Sequence, residues 1–595
     1  MAAPLTQPLL ELAIQHHRAG NLREAAVAYG RVLQNDPASI AALGNLGLIL
    51  QAGGQLTEAE SLFRKLVELC PSDGRAHMQL GVTLAMQRRF NDALAALRRA
   101  LVLLPNNPDA LNNLGNALRE SGEFQEARAL CQRAVAVDPR HADAHINLGL
   151  ALEDSGRLDE AIASVRQALR LRPRDPAAHS NLLLMLNCHE GYDASALHAE
   201  HAQFGVQQAG PVAAGVARPP AAAQPDPEKT PLRIGYISAD LRSHSVAFFL
   251  EKILANHDRD RFTVTCYSNV TKPDAMTRHM QGLVHRWREI AHVSDERAAE
   301  MVRGDGIDIL VDLSGHTHGN RLLLMARRPA PIQATYLGYP NTTGLKQIDY
   351  LITDALVAPG GTEANYAERV VRLPGSFFCY FEPDVGVQPT ERTQSTDSGQ
   401  VTFAVMSTWV KVRPAMMELW ARILQATPGS KLLLKAKSLA DAALAAEVRR
   451  FFIDRGIAAD RIDIQGASDF DSYLRLMGQV DIALDTYPSN GHTTTCHTMW
   501  MGVPVISRTG NTHPSRMGLS ILSSLGLGEL AARTPDEYVQ IAVNLASDLP
   551  RLAELRGGMR RRWQDSGLLD GTQFTRKLEA AYQQMWRERT DTIKT

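Results

Sequence analysis

Five prolines, Pro37, Pro71, Pro105, Pro139 and Pro173, stand 34 residues apart, and no other feature constrains the first third of the chain as strongly. Ala25, Ala59, Ala93, Ala127 and Ala161 keep the same interval, as do Leu-Gly pairs ending at Gly47, Gly81, Gly115 and Gly149. Gly20, Gly54, Gly122 and Gly156 mark a turn within each period, and Arg88 takes that place once. Each period therefore reads as two helices. The small residues let the helices approach closely, the glycine supplies the turn, and the proline stops the second helix. A unit this small cannot bury its apolar face alone, so the repeats must stack into an α-solenoid. Five repeats and a capping helix near residues 178–187 predict a solenoid over residues 1–190.

The period is that of tetratricopeptide (TPR) repeats. An amide recurs on the first helix of each unit, at Asn45, Gln79, Asn113, Asn147 and Asn181. That helix faces the concave side of such a solenoid, and an amide both donates and accepts hydrogen bonds. A row of them can hold the backbone of an extended acceptor peptide without reading its sequence; the same amides can instead bond neighbouring helices of the stack.

Charge and composition exclude several functions. The 595 residues carry 63 Lys+Arg against 64 Asp+Glu, a formal charge of -1, which leaves no electrostatic footprint for nucleic acid. No apolar run reaches the ~18–20 residues of a membrane span, and the first residues lack the basic and apolar segments of a signal peptide. A cytoplasmic protein with no membrane partner is the expectation. Cys70, Cys131, Cys188, Cys266, Cys379 and Cys496 are scattered without a C-x-x-C pair, against a zinc site or disulfide framework.

Beyond residue 190 the period disappears. A bridging helix over 194–208 and an Ala/Pro/Gly-rich linker from 210 fill residues 191–231. Short β-rich runs at 232–238, 262–268, 307–313, 332–338 and 350–354 then alternate with helical patterns, predicting a parallel, Rossmann-like domain over 232–385. A polar gap at 386–399 precedes a second such domain over 400–573, with strands at 401–406, 431–435, 461–464, 481–485 and 503–507. Residues 574–595 form a closing helix and tail that can pack on either half. Two such sheets bind ligands beyond the carboxyl ends of their strands.

The densest chemistry lies in residues 485–500. A strand ends at Asp485, Pro488–Gly491 turns, and His492, Thr493 and Thr494 open a helix. Exposed N–H groups at a helix start, with hydroxyls and an imidazole beside them, suit a phosphate or diphosphate; ordinary threonine capping is the competing reading. The Asp469-Phe470-Asp471 pattern reads as a solvated helix start rather than a metal site.

Gly491-His492-Thr493-Thr494, Arg328-Pro329-Ala330-Pro331-Ile332-Gln333, Leu337-Gly338-Tyr339-Pro340-Asn341-Thr342-Thr343-Gly344 and Arg233-Ile234-Gly235-Tyr236-Ile237-Ser238-Ala239-Asp240 resemble motifs of the protein O-GlcNAc transferase family, which includes the plant SPINDLY protein O-fucosyltransferases. The resemblance spans nearly the whole chain. It implies an α-solenoid followed by a GT-B glycosyltransferase of two Rossmann-like domains. Such an enzyme transfers a sugar from a nucleotide donor to Ser or Thr of proteins by inverting displacement, with no metal and no cofactor. Lys411 matches the family lysine that holds the donor diphosphate, where a positive charge does the work of a metal. His201 and His244 match cleft histidines, either of which can orient a substrate or take the hydroxyl proton. His316 and His318 carry weaker motif support.

The resemblance further places Gly338 and Pro340 near the donor sugar, Tyr473 on the nucleobase side and His497 near the ribose. A tight turn explains Gly338 and Pro340 equally well, and a half-buried helical tyrosine explains Tyr473. His497 stands where relatives usually carry an acidic residue, and Ser407-Thr408 replaces an amide-bearing pair before Lys411. The donor motifs divide: Pro340–Gly344 and Thr493–Cys496 resemble SPINDLY, His492 the O-GlcNAc transferases. UDP-GlcNAc is favoured slightly over GDP-fucose, and a TPR scaffold with an inactive glycosyltransferase fold is the third reading. The expected partners are a nucleotide sugar and a protein acceptor along the TPR groove, with self-association left open.

Overall fold

A computed structural model describes residues 3–217, 219, 230–383, 386, 395 and 399–594. The chain forms two compact units, Met1–Ser155 with Asp159–Arg172, and Gly156–Leu158 with Pro173–Thr595.

The first unit is the solenoid. Its helices are Ala3–Arg18, Leu22–Asn35, Ile40–Ala52, Leu56–Leu69, Gly74–Met86, Phe90–Leu103, Pro108–Ser121, Phe124–Val137, Ala142–Asp154 and Leu158–Leu171, two per repeat. The periodic glycines have a steric cause. A Cβ at Gly47, Gly81, Gly115 or Gly149 would lie 2.7, 2.5, 2.7 or 2.5 Å from Phe63, Leu97, Cys131 or Val165, themselves 34 residues apart. The two helices of each repeat thus meet where one has no side chain. Arg88 keeps the left-handed conformation of the turn glycines (φ 63°), a strain of ~1–2 kcal/mol in a residue with a Cβ.

The second unit opens with the helix Pro176–Leu186, capped by Asp175 through the Ala178 N–H, and the bridging helix Ala194–Phe204. Sequence reading starts the linker at residue 210, but helical backbone continues through a π-turn at Gly205–Ala209 to Ala213, Pro211 being tolerated in the first turn of that last segment. Most of the expected linkers, residues 220–229 and most of 386–399, lie outside the described residues.

Two sheets follow, both wholly parallel. The first comprises β1 (Leu232–Ser238), β2 (Phe262–Ser268), β3 (Arg286–Glu289), β4 (Ile309–Asp312), β5 (Ile332–Tyr336), β6 (Tyr350–Asp354) and β7 (Arg369–Leu373), in the order β3-β2-β1-β4-β5-β6-β7. The second comprises β8 (Thr402–Met406), β9 (Lys431–Lys435), β10 (Ile462–Gln465), β11 (Ile482–Leu484), β12 (Val505–Arg508) and β13 (Ala531–Ala532), in the order β10-β9-β8-β11-β12-β13. β1, β2, β6 and β9 fall where the apolar runs predict. β3, β7 and β13 are absent from the sequence reading. All three are edge strands, short or half-exposed, so they carry no continuous apolar run.

The closing helix runs Gly571–Lys594 and packs on the first sheet's side. Its Tyr582 hydroxyl meets that of Tyr236 on β1 at 3.1 Å, and Glu579 accepts from His257 and from the Asp258 N–H.

Candidate functional site

In each sheet the strand order reverses beside the first strand, at β1/β4 and at β8/β11, and such switch points open crevices at the carboxyl ends of strands. His244 follows β1, His316 follows β4, Lys411 follows β8, and the His492–Thr494 segment follows β11. Topology thus delivers four of the sequence-predicted groups to the two crevices.

The second-lobe switch point holds a small recess lined by Met406, Ser407, Asp485, Gly491, Thr494 and Thr495 among others. The helix Thr493–Trp500 begins in it with His492 as N-cap and no side-chain cap bond, so its first N–H groups remain available. Lys411 comes in from the other switch strand and donates from Nζ to the Asn490 carbonyl at 2.9 Å. Asn490 is itself locked: its amide donates to the Thr486 and Arg508 carbonyls and accepts from the Gly518 N–H. Asp485 Oδ1 accepts from the Thr486 and Gly491 N–H groups at 2.8 Å each, and Oδ2 from Ser507 Oγ at 2.7 Å. Burial pushes the Asp485 carboxyl up to about 6, against these bonds and the charge of Lys411.

His492 stacks on Phe249 of the first lobe, ring centroids 4.2 Å apart and planes 14° from parallel, with Phe377 and Phe378 alongside. Burial, then the charge of Lys411, depress it to about 3, so the ring is neutral. Its Nε2 is buried without a hydrogen-bond partner. Tyr473 hydrogen-bonds the Thr494 side chain and packs half-buried beside Met406 and Leu474. His497 is buried: its Nδ1 lies 2.5 Å from the Tyr380 hydroxyl, and Phe248 and Phe470 flank the ring. Burial depresses it to about 3.

In the first lobe, the two cleft histidines differ. His244 keeps 36% of its side chain exposed and places Nδ1 3.6 Å from Asp240. Burial lowers its pKa and Asp240 opposes the shift. Asp240 closes the motif that begins at Arg233, and its spacing of four from His244 is the signal in the sequence that pairs the two. His201 is 0% exposed, and both ring nitrogens are engaged. Nδ1 faces the Leu197 carbonyl at 2.6 Å, so it must carry the proton, and Nε2 accepts from the Tyr339 hydroxyl at 2.7 Å. Burial holds this ring at about 4. The Tyr339 hydroxyl also accepts from Asn187, whose carbonyl oxygen takes Asn341 Nδ2.

His316 bridges Ser180 and the Thr343 carbonyl and is 1% exposed. His201, Tyr339 and Asn187 thus form one buried hydrogen-bond network between the bridging helices and the loop after β5, and His316 packs edge-on against His201 and Tyr339. Glu368, missed in the sequence, holds Thr342 Oγ1 and the Thr343 N–H. Gly338 has its own cause: a Cβ there would lie 1.8 Å from the Leu313 carbonyl oxygen. Pro340, half-buried beside it, lines a small cavity with Tyr339, Phe377 and His513.

The amide row is half-buried throughout. Asn147 donates to Asn112 of the preceding repeat at 2.9 Å, and Asn45 hydrogen-bonds Tyr29. At these two positions the amides bond within the stack. Asn181 lies in the second unit, on the helix Pro176–Leu186.

Glycosyl transferase family 41 is the family model that matches, over residues 155–385 and 383–578, and the tetratricopeptide model matches in overlapping stretches between residues 10 and 176. The probable UDP-N-acetylglucosamine–peptide N-acetylglucosaminyltransferase SPINDLY of Petunia hybrida is 40% identical over 372 residues, 62% of this chain and 40% of that protein. The corresponding Arabidopsis thaliana protein SEC is 30% identical, over 60% of this chain and 37% of its own length. This chain spans about two fifths of the length of these curated relatives. A mutant O-GlcNAc transferase of Thermobaculum terrenum superimposes with a TM-score of 0.81 at 37% identity, covering 87% of this chain and 99% of that one.

Proposed function

Because the chain belongs to glycosyltransferase family 41, we propose that it transfers a sugar from a nucleotide donor to Ser or Thr hydroxyls of proteins. The observation that carries this reading is the second-lobe switch point, where a pinned lysine, an open helix start and an unbonded imidazole nitrogen lie within residues 411 and 490–494.

In this reading the acceptor oxygen attacks the anomeric carbon as the bond from that carbon to the diphosphate oxygen breaks, and the configuration inverts. The leaving diphosphate gains negative charge, which Lys411 and the N–H groups of Thr493 and Thr494 stabilise without a metal. The neutral His492 suits the donor through its open Nε2. His244, exposed and beside Asp240, is the better placed of the two histidines to take the hydroxyl proton. His201 has no free nitrogen and acts by positioning Tyr339. UDP-GlcNAc is slightly favoured as donor by His492, by the names of the SPINDLY and SEC relatives and by the Thermobaculum likeness, and GDP-fucose is the alternative that the motifs at Pro340–Gly344 and Thr493–Cys496 support.

The solenoid supplies acceptor binding, with Gln79 and Asn113 now the amides of first interest. Transfer of radiolabelled sugar from each donor to protein in a cell extract tests the proposal. Lys411→Ala is expected to lower transfer by about 10²–10³-fold. Equal transfer by the variant would remove Lys411 from the mechanism, and no transfer from either donor by the unaltered protein would favour the inactive scaffold.

A further inference from the structure

Asp485 takes no part in the displacement just described, yet it lies in the lining of the recess, 8% exposed, within reach of the Lys411 charge. Its Oδ1 fixes the turn that feeds the helix start, through the Gly491 N–H. Its charge is a separate matter from its shape. Lys411 is close enough to pull the carboxyl toward ionisation, and the carboxyl, pushed by burial to about 6, is ionised at pH 8.

A nucleotide sugar carries its diphosphate as a diester with two negative charges; the released nucleoside diphosphate has a free terminal phosphate and approaches three at that pH. A carboxylate in the recess repels the second more than the first. We propose that Asp485 sets the charge of the anion recess as well as its shape, so that the nucleoside diphosphate left after transfer is held less firmly than Lys411 and the helix start alone would hold it. This inference rests on reading the recess as the donor site.

Asn and Ala substitutions separate the two roles. In Asp485→Asn the amide oxygen still accepts from Thr486 and Gly491, and the new NH₂ donates to Ser507 Oγ, whose hydroxyl can turn to accept. Only the charge is lost. Asp485→Ala loses the acceptors too. Calorimetric titration at pH 8 with UDP, GDP, UDP-GlcNAc and GDP-fucose tests the proposal. Asp485→Asn should bind the nucleoside diphosphate about five- to tenfold tighter than the unaltered protein, and the matching sugar donor at most about threefold tighter. Steady-state product inhibition should deepen in step. Asp485→Ala should weaken both ligands as Gly491 loses its anchor. Asp485→Asn binding the diphosphate no tighter, while the unaltered protein binds it, overturns the charge role alone. Failure of the unaltered protein to bind any of the four ligands overturns the donor-site reading, and this inference with it.

Discussion

The two lobes of the second unit are built on one plan and put it to different use. In each, a buried aspartate stands at the carboxyl end of the strand across the switch point, Asp312 ending β4 and Asp485 just after β11. Each accepts from N–H groups of the loop that follows, Ser314 and Gly315 in one, Thr486 and Gly491 in the other. Each also takes a hydroxyl from the next strand, Thr335 or Ser507, and burial pushes both carboxyls up to about 6.

What differs is the filling of the crevice. In the first lobe the loop after Asp312 buries His316, which bonds Ser180 and packs edge-on against His201 and Tyr339. In the second lobe the equivalent loop ends at an open helix start. A switch point offers a crevice, and the segments packed over it decide whether a ligand finds one.

Glycines provide the sharpest test of that difference. A Cβ at Gly344 would sit 2.0 Å from the His201 backbone oxygen, at φ 74°. Gly344→Ala should therefore cost more than about 3 kcal/mol and show as a collapse of the thermal transition. A Cβ at Gly491 meets the Thr495 hydroxyl at 2.6 Å and Asp485 at 3.3 Å, groups at side-chain ends. Gly491→Ala should leave the folded protein nearly as stable and lose nucleotide binding instead. Equal stability losses would mean that the two crevices are packed alike.

Much of this contrast was legible in the sequence, but not its cause. Gly344 and Gly491 both sit in quoted motifs, and a motif does not say whether its glycine yields to a ligand or to a neighbouring backbone. Likewise His201 and His244 look alike as motif histidines. Only packing shows that one has no free nitrogen and the other faces solvent.

Acidification should expose a second asymmetry. His201, held at about 4, and His492, His497 and His513, held at about 3, bind fewer protons folded than unfolded, where 6.5 is ordinary. Their contribution to stability is complete above pH 6.5 and is lost as pH falls toward those values. Asp312 and Asp485 act oppositely: raised to about 6, they penalise the folded state at neutral pH, and the penalty lifts as pH falls through 6 toward 3.8. The histidines are more numerous and displaced further, so the urea midpoint should fall between pH 7 and pH 5. His497→Phe, in a site already walled by Phe248 and Phe470, should flatten that fall, placing more of it in the second lobe. An unchanged slope would sink the assignment.

A smaller effect belongs to the buried network. Tyr339→Phe removes the hydroxyl shared by His201 and Asn187 and should destabilise by about 1–3 kcal/mol, read by denaturant unfolding, while the pH dependence of transfer stays unchanged. A shifted pH profile would return His201 to the proton-transfer step. The smallest change is expected in the solenoid: Gln79→Ala with Asn113→Ala should weaken transfer to protein about two- to fivefold and leave donor binding untouched. Loss of donor binding in that pair would show that the amides serve the fold.

The sequence by itself determined the repeat, the two alternating domains and the segments that carry the chemistry, because a 34-residue period, apolar strand runs and strand-end motifs are local patterns. It could not find β3, β7 and β13, whose edge positions require little apolar surface. It left open where the closing helix packs, since amphipathicity names a buried face but not the surface that buries it. The tertiary structure alone decided which histidine is open, that Asn147 bonds Asn112 rather than solvent, and that one switch-point loop buries a histidine while the other opens a helix. Those outcomes depend on residues distant in sequence competing for the same space and the same hydrogen bonds, as Asn112 and Asn147, Ser180 and His316 or Phe249 and His492 do.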